Sequence, residues 1–548
     1  MSPSARWRRL VPLGVAGLAA LLITGQASAG ALNQPDPQPE SPAEKIQLIR
    51  VNADSTAAKK RLTRLDLDLA ESAGPTHVDV VAHGNQDLRL LKLAGFTWSV
   101  LDGDLVATDQ RREAEDRAFA MAPTATLPSG RTAYRQLADY ENNLNALAAQ
   151  YPSKAKVITL KNPSLEGRAI RGLEISRNVN VSDGKPVFVM MGLHHAREWP
   201  SGELTIEFGY DLLQNDGVIP RITNILDKAR VVLVPVVNPD GFQLSRSLGY
   251  EMKRKNCRIV NGQLPTPGQC ASSTNHSRGT DLNRNYAGFW GGPGASTSLT
   301  SETYRGASAF SEPESRNIQA LVSSYQATTL ITNHTYGNLV LRQPGYASAG
   351  KTPDETLYKS LGDQMAAQNN YRSQYGYQLY DTTGTTEDWS YYATGGLGFT
   401  FEHGSSFHPA FSNVINQYFG TGSTAGKGSR EAFLVAAEST INPARHSVIT
   451  GTAPAGAVLR LKKSFSTKTW NGTNVPDVLN TTMVVPAGGT YTYHANPSTR
   501  PIAQQQGQTE SWTFTCERPN GTVLETRQIT VARGASVTAN LTTCAANF

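Results

Sequence analysis

The stretch PVFVMMGLHHAREWPSGE, residues 186–203, passes directly from an apolar run into two histidines and a glutamate. PVFVMMGL shows no polar alternation, which reads as a strand covered on both faces. Three further runs share this texture: RVVLVPVV (230–237), TTLITNH (328–334) and LGFTFEH (397–403). Amphipathic segments such as YRQLADYENNLNALAAQY (134–151) lie between them. The pattern predicts an α/β domain over residues 132–442, with a mixed sheet covered by helices on both faces.

The flanking regions differ. Residues 46–108 contain IQLIRV, STAAKKRL, HVDVVAH, NQDLRLLKLAG and FTWSVLDGDLV, with Leu65, Leu67 and Leu69 alternating with Asp66 and Asp68. The order βαββαβ predicts a small ferredoxin-like α+β domain, with the Leu/Asp run as a half-buried strand. Residues 109–131, including AFAMAPTATLPSG, are expected to form an exposed linker. From 444 to 548, short alternating strands with glycine and proline turns predict an antiparallel β-sandwich.

The chain has 548 residues, a net charge of +6 and 39% hydrophobic residues. Its positive residues are dispersed, which argues against a nucleic-acid partner. Residues 1–29 carry Arg6, Arg8 and Arg9, an apolar run and Ala27-Ser28-Ala29, the pattern of a signal peptide. Residues 30–45 read as a proline-rich linker, and no later run is long enough to span a membrane. A secreted product follows, expected to be a monomer. In that oxidising setting Cys257–Cys270 and Cys516–Cys544 are the simplest pairings.

The histidines and glutamates fall at strand ends, where α/β sheets bind ligands: His194 and His195 after the first run, His334 after the third, Glu402 after the fourth. Zinc takes His and carboxylate ligands and keeps one position open when catalytic. Glu198 lies three residues after His195 and four after His194, and this spacing alone does not choose between them.

HAREWPSGE, VNPDGF, RKN, DLNRNYAGFW, SETYRGASAFSEPE, HTYG and GTTEDWSYYATGGLGFTFE occur in one order across residues 132–442. This order resembles the zinc carboxypeptidases of the carboxypeptidase A/B family. The resemblance implies one zinc per chain on His195, Glu198 and His334, with His194 facing away. It implies Glu402 as the catalytic base, Arg254 as the oxyanion contact and Asp281 as the carboxylate orienting His195. Lys253 stands where the family usually has an aromatic residue. Asn283 and Arg284 match the clamp for a terminal carboxylate, Arg197 a contact further up the substrate, and Tyr380 a tyrosine that closes over it. Glu387 falls at the base of the specificity pocket, with Tyr375 and Thr382 as further lining.

The expected activity is hydrolysis of the C-terminal peptide bond of peptides and proteins, favouring terminal Arg or Lys, or with dual specificity. Residues 46–108 would be an inhibitory propeptide, released by cleavage within 110–131, after Arg117 or Arg131. A cell-wall peptide amidase or endopeptidase is the alternative among enzymes. A non-catalytic carbohydrate or cell-surface binding protein is the alternative of another class. Polysaccharide or cell wall is a candidate ligand for the C-terminal domain. The remaining histidines, His77, His83, His276, His403, His408, His446 and His494, have no such partners in the sequence and read as structural.

Overall fold

The computed structural model describes residues 45–247, 249–501 and 509–548. The signal-peptide reading of 1–29 and nearly all of the 30–45 linker lie outside these residues.

Four strands open the described chain: β1 (Ile46–Asn52), β2 (Asp68–Ala73), β3 (His77–His83) and β4 (Trp98–Asp102). They form an antiparallel sheet in the order β2-β3-β1-β4, with helices Thr56–Thr63 and Asn85–Leu93 in the connections. The Leu65–Leu69 alternation was expected to be strand throughout, but pairing begins only at Asp68. Asp66 sits at φ 57, and its carboxylate accepts from Ser301 Oγ at 2.6 Å and Ser296 Oγ at 3.0 Å. These bonds hold it in a left-handed turn, a conformation Asp tolerates.

The expected linker at 109–131 is largely a helix. Asp104 caps Leu105–Met121 by accepting from the Ala107 amide at 3.1 Å. Alanine, arginine and glutamate, all good helix formers, then carry it forward. Its apolar and acidic side docks on the following domain: Asp109 lies 2.7 Å from His408 Nδ1, and Asp116 accepts from the Phe411 amide at 2.7 Å. Residues 121–126 are the longest continuous exposed run in this segment.

The central sheet has eight strands: β5 (Ala155–Thr159), β6 (Arg171–Ile175), β7 (Val187–Met191), β8 (Arg230–Val234), β9 (Thr329–His334), β10 (Leu339–Arg342), β11 (Arg372–Tyr375) and β12 (Leu397–Glu402). Their order is β11-β10-β12-β9-β7-β8-β6-β5. The four apolar runs singled out in the sequence are the contiguous parallel strands β12-β9-β7-β8, buried along their whole length. Antiparallel pairing at β10–β12, β6–β8 and β5–β6 makes the sheet mixed. Helices pack on it, with Phe208, Ile225 and Phe433 in one apolar cluster and Val322 and Trp389 in another. The central parallel strands therefore end on one edge, and that edge carries the site.

Seven strands follow: β13 (Ser447–Thr452), β14 (Val458–Lys468), β15 (Asn474–Val484), β16 (Thr490–Ala495), β17 (Trp512–Glu517), β18 (Val523–Ile529) and β19 (Ser536–Thr538). They form the sheets β16-β13-β19 and β15-β14-β17-β18 around Leu459, Leu461, Tyr493, Trp512 and Phe514. The region is not purely antiparallel, because β13 pairs parallel with β19. Alternation reports the faces of a strand, not the direction of its partner. Both disulfides, Cys257–Cys270 and Cys516–Cys544, are formed as the local spacing suggested.

Candidate active site

The chain leaves β7 at Met191 and makes a tight turn before the helix Trp199–Asn215. Gly192 is required there, since a Cβ would meet the Ser201 carbonyl oxygen at 2.5 Å. Leu193 takes φ 53, and its amide donates to Ser201 Oγ at 2.9 Å. Glu198 is the N-cap of the helix, so it and His195 share a turn rather than a helical face; the Glu198 amide donates to the His195 carbonyl at 3.2 Å.

Three side chains converge at this point. His195 Nδ1 lies 2.6 Å from Glu198 Oε1, His334 Nδ1 lies 2.9 Å from Glu198 Oε2, and the two Nδ1 atoms are 3.1 Å apart. The far ring nitrogens are held separately, His195 Nε2 by Asp281 Oδ1 at 3.1 Å and His334 Nε2 by Thr332 Oγ1 at 3.0 Å. Two imidazoles oriented from behind and one carboxylate, all buried, are the donor set of a catalytic zinc. His194 contributes no donor atom to this cluster. Its ring stacks behind His334 with centroids 5.7 Å apart, between Tyr286 OH at 3.0 Å and Thr332 Oγ1 at 3.2 Å. Burial, then the two neighbouring histidines, holds its pKa well below the ordinary value, so it stays neutral.

Register places Glu402 beside His334 across β12 and β9. Glu402 is buried, and its Oε2 has no hydrogen-bond partner among the described residues. Burial first, then the charges of Glu71 and Glu198, raises its pKa well above the usual carboxylate range. Arg254 is held by Asp281, whose Oδ2 accepts from Nη2 at 2.9 Å and Nε at 3.2 Å. One carboxylate thus orients both His195 and Arg254. Lys253 serves the loop beside it, donating to the carbonyls of His276 at 2.8 Å and of Arg278. Burial, then Lys255, pushes its pKa down to about 7.

Asn283 and Arg284 sit in the 3₁₀ turn Leu282–Arg284. Arg284 donates through Nε to the Gly294 carbonyl and through Nη1 to the Asn283 carbonyl, both at 2.8 Å. Asn283 Oδ1 accepts from the Thr386 amide at 2.9 Å. That bond ties the turn to the helix Thr386–Thr394, whose first turn carries Glu387. Glu387 is only 5% exposed, and its Oε2 has no hydrogen-bond partner among the described residues. Thr382 folds onto Gly345, its amide donating to the Gly345 carbonyl at 2.8 Å. Tyr375 lies on edge strand β11, stacked with Tyr377, with Arg342 over its ring.

No sequence motif signals the groups that face these residues. Asp68, at the start of β2, accepts from both arms of Arg197, at 2.6 and 2.8 Å. Glu71, three residues on, accepts from Arg254 Nη1 at 2.6 Å. Tyr380 is buried among Leu339, Leu341 and Leu379 and, from the N-terminal domain, Leu67 and Leu69. His83 and His408 also join this contact, His83 Nε2 lying 2.9 Å from Asp68 Oδ2 and His408 bonding Asp109.

A family model described as zinc carboxypeptidase, Peptidase_M14, matches residues 140–419. Carboxypeptidase A1 of Rattus norvegicus is 27% identical over 375 residues, covering 65% of this chain and 85% of its own. A zinc carboxypeptidase of Saccharothrix mutabilis subsp. capreolus is 27% identical over 424 residues, covering 75% and 92%. Among solved structures, the carboxypeptidase A of Helicoverpa armigera superposes with a TM-score of 0.60 at 22% identity, covering 73% of this chain and 98% of that one.

Proposed function

Given that the chain belongs to the zinc carboxypeptidase family Peptidase_M14, and is thereby a zinc-dependent metallocarboxypeptidase, we propose that it trims C-terminal residues, preferring Arg or Lys, after release of an inhibitory N-terminal domain. The observation that carries this reading is the convergence of His195, Glu198 and His334 beside Glu402 and Arg254.

His195, Glu198 and His334 would hold the zinc, which would supply a water of pKa near 7 and Lewis acidity toward the scissile carbonyl. Glu402 takes the proton of the attacking water and later returns it to the leaving amine. Arg254, fixed by Asp281, donates to the oxygen on which negative charge develops. Arg284 and Asn283 hold the terminal carboxylate, because a guanidinium fork matches its two oxygens. Arg197 contacts the substrate further from its end, and Tyr380 closes over it.

Glu387 supports the basic preference. A buried carboxylate oxygen without a partner is costly, and a cationic side chain entering the pocket supplies one. The N-terminal domain supports a zymogen. Asp68 and Glu71 occupy two of the arginines that a substrate needs. Exposed residues 121–126 offer the accessible part of the connection, whereas Arg131 is tied to Asp139 at 2.6 Å. Export agrees with the two disulfides, and no helix among the described residues is long and apolar enough to cross a membrane.

The test compares kcat/KM for matched peptides ending in Arg, Lys, Phe and Leu, with cleaved and uncut protein, with and without chelator, and again in Glu387→Ile. Chelator-sensitive release of single C-terminal Arg or Lys, lost as a preference in Glu387→Ile, is expected. Preference for Phe with a ratio unmoved by the substitution would remove the pocket assignment, and internal cleavage would remove the exopeptidase reading.

A further inference from the structure

Strand β2 delivers two carboxylates to the cleft, and they are not equivalent. Asp68 is fully answered, with both oxygens on Arg197. Glu71 is half answered. Its Oε1 accepts from Arg254 at 2.6 Å and stands 4.0 Å from His195 Nδ1. Its Oε2 is buried and has no hydrogen-bond donor among the described residues. The residue as a whole is 6% exposed, so water does not readily supply the missing donor.

Its position is held from both sides. A Cβ on Gly337 would meet the Glu71 carbonyl oxygen at 2.8 Å, so the strand can approach only because residue 337 is glycine. Beyond the strand, Arg372 Nη2 donates to the Ala73 carbonyl at 3.2 Å, and Lys59 Nζ donates to the carbonyls of Gly74 at 2.7 Å and Gln378 at 3.1 Å.

A buried carboxylate with one oxygen lacking a donor and the other 4.0 Å from His195 Nδ1, a nitrogen of the three-residue donor set, calls for a cation. Two imidazoles and one carboxylate leave a catalytic zinc one position to fill. We propose that in the uncut chain Glu71 fills it: its carboxylate is the fourth ligand of the zinc, with Arg254 on the other oxygen. The chemistry is that of the reaction's own product. Hydrolysis leaves a new peptide carboxylate between the metal and the arginine that steadied the oxyanion, and Glu71 presents the same group on a tether. Asp68 then docks the domain, while Glu71 closes the metal.

The inference rests on the zymogen reading and is tested on the metal rather than on turnover. Uncut protein is loaded with cobalt(II) for its visible spectrum, and separately with zinc for release to a chelator. Glu71→Gln keeps an acceptor for Arg254 but is a far poorer ligand. It is expected to change the cobalt spectrum and to speed zinc release by ~10-fold or more, the scale of losing a group that supports a metal site. Proteolytic removal of the N-terminal domain from wild-type protein should produce the same two changes, which covers the case of a Glu71→Gln chain that does not fold. A spectrum and release rate unmoved by the substitution, or by cleavage of wild-type protein, would overturn the assignment. Full peptidase activity of the uncut wild-type chain would instead overturn the zymogen reading, and it is read from turnover alone.

Discussion

Two small β-rich regions flank the catalytic sheet, and they hold it by opposite means. The N-terminal one enters the cleft with charge: Asp68 on Arg197 and Glu71 on Arg254, both pairs almost wholly buried. The C-terminal one braces the helices Thr386–Thr394 and Pro313–Tyr325 with groups that have no part in the proposed chemistry. Asp477 accepts from Trp389 Nε1 at 2.8 Å, Gln319 Nε2 at 3.0 Å and Thr467 Oγ1 at 2.9 Å. The Asn496 amide donates to Gln326 Oε1 at 2.6 Å, and Ser323 Oγ donates to the Val478 carbonyl at 2.6 Å. Phe465 and Val475 pack against the apolar cluster that contains Trp389. On the proposed zymogen reading, groups borrowed from a substrate's binding site can be given back when the domain leaves. Groups that complete a core cannot, because removing them leaves unsatisfied donors and empty space.

The difference is open to experiment. The largest effect should come from cutting the exposed 121–126 segment. Removing one partner of a buried pair costs about 3–5 kcal/mol, so loss of the charged contacts should raise kcat/KM by at least ~10²-fold while the thermal midpoint of the remaining catalytic unit holds. An unchanged kcat/KM would place both flanking regions in the same class. Next comes Asp477→Ala, which strands three donors at about 1 kcal/mol or more each. A loss of about 3 kcal/mol in urea unfolding is expected, with kcat of the cleaved enzyme little altered. A gain of activity in the uncut form would mean that the brace also regulates.

Smaller still is Asp68→Asn in the uncut chain. It keeps one acceptor oxygen, replaces the other with an NH2 donor and removes the charge facing Arg197, so leak activity should rise by ~10-fold, a charge-assisted bond being worth about 1.5–3 kcal/mol. Leak unchanged by Asp68→Asn but raised by Glu71→Gln would shift the docking role to Glu71.

The last prediction sharpens the comparison through pH. Glu314 opens the helix Pro313–Tyr325, which bears on β15. Burial, then the charges of Glu312 and Asp240, pushes its pKa up to about 8 from 4.5. Between those values the folded state keeps a proton that the unfolded state has released. Stability contributed by this group is therefore fully present below pH 4.5 and is lost as pH rises toward 8, by at most about 1.4 kcal/mol per pH unit. Glu314→Gln should flatten that slope in urea titrations at pH 5, 6, 7 and 8, whereas an unaltered slope would assign it to other groups.

What the sequence by itself determined about this protein is the catalytic sheet and the contents of its working edge. Four apolar runs without alternation became β7, β8, β9 and β12, and the histidines and glutamates at their ends came together. Burial on both faces leaves no other reading of such runs. The seven short strands of the C-terminal region and the disulfide pairings were legible for similar local reasons. The helix Leu105–Met121 was missed because its support comes from His408 and Phe411, about 300 residues away. Only the tertiary structure decided what β2 does. Asp68 looks like an ordinary polar position of a half-buried strand, and alternation would turn Glu71, three residues on, to the other face. The register shift between Leu69 and Ala73 breaks that alternation, and both carboxylates meet the cleft. The face that would meet water in an isolated domain is instead buried against Arg197 and Arg254, which the sequence places more than a hundred residues downstream. A charged face can be buried when opposite charge is waiting there, and that complement exists only once the two domains are in contact.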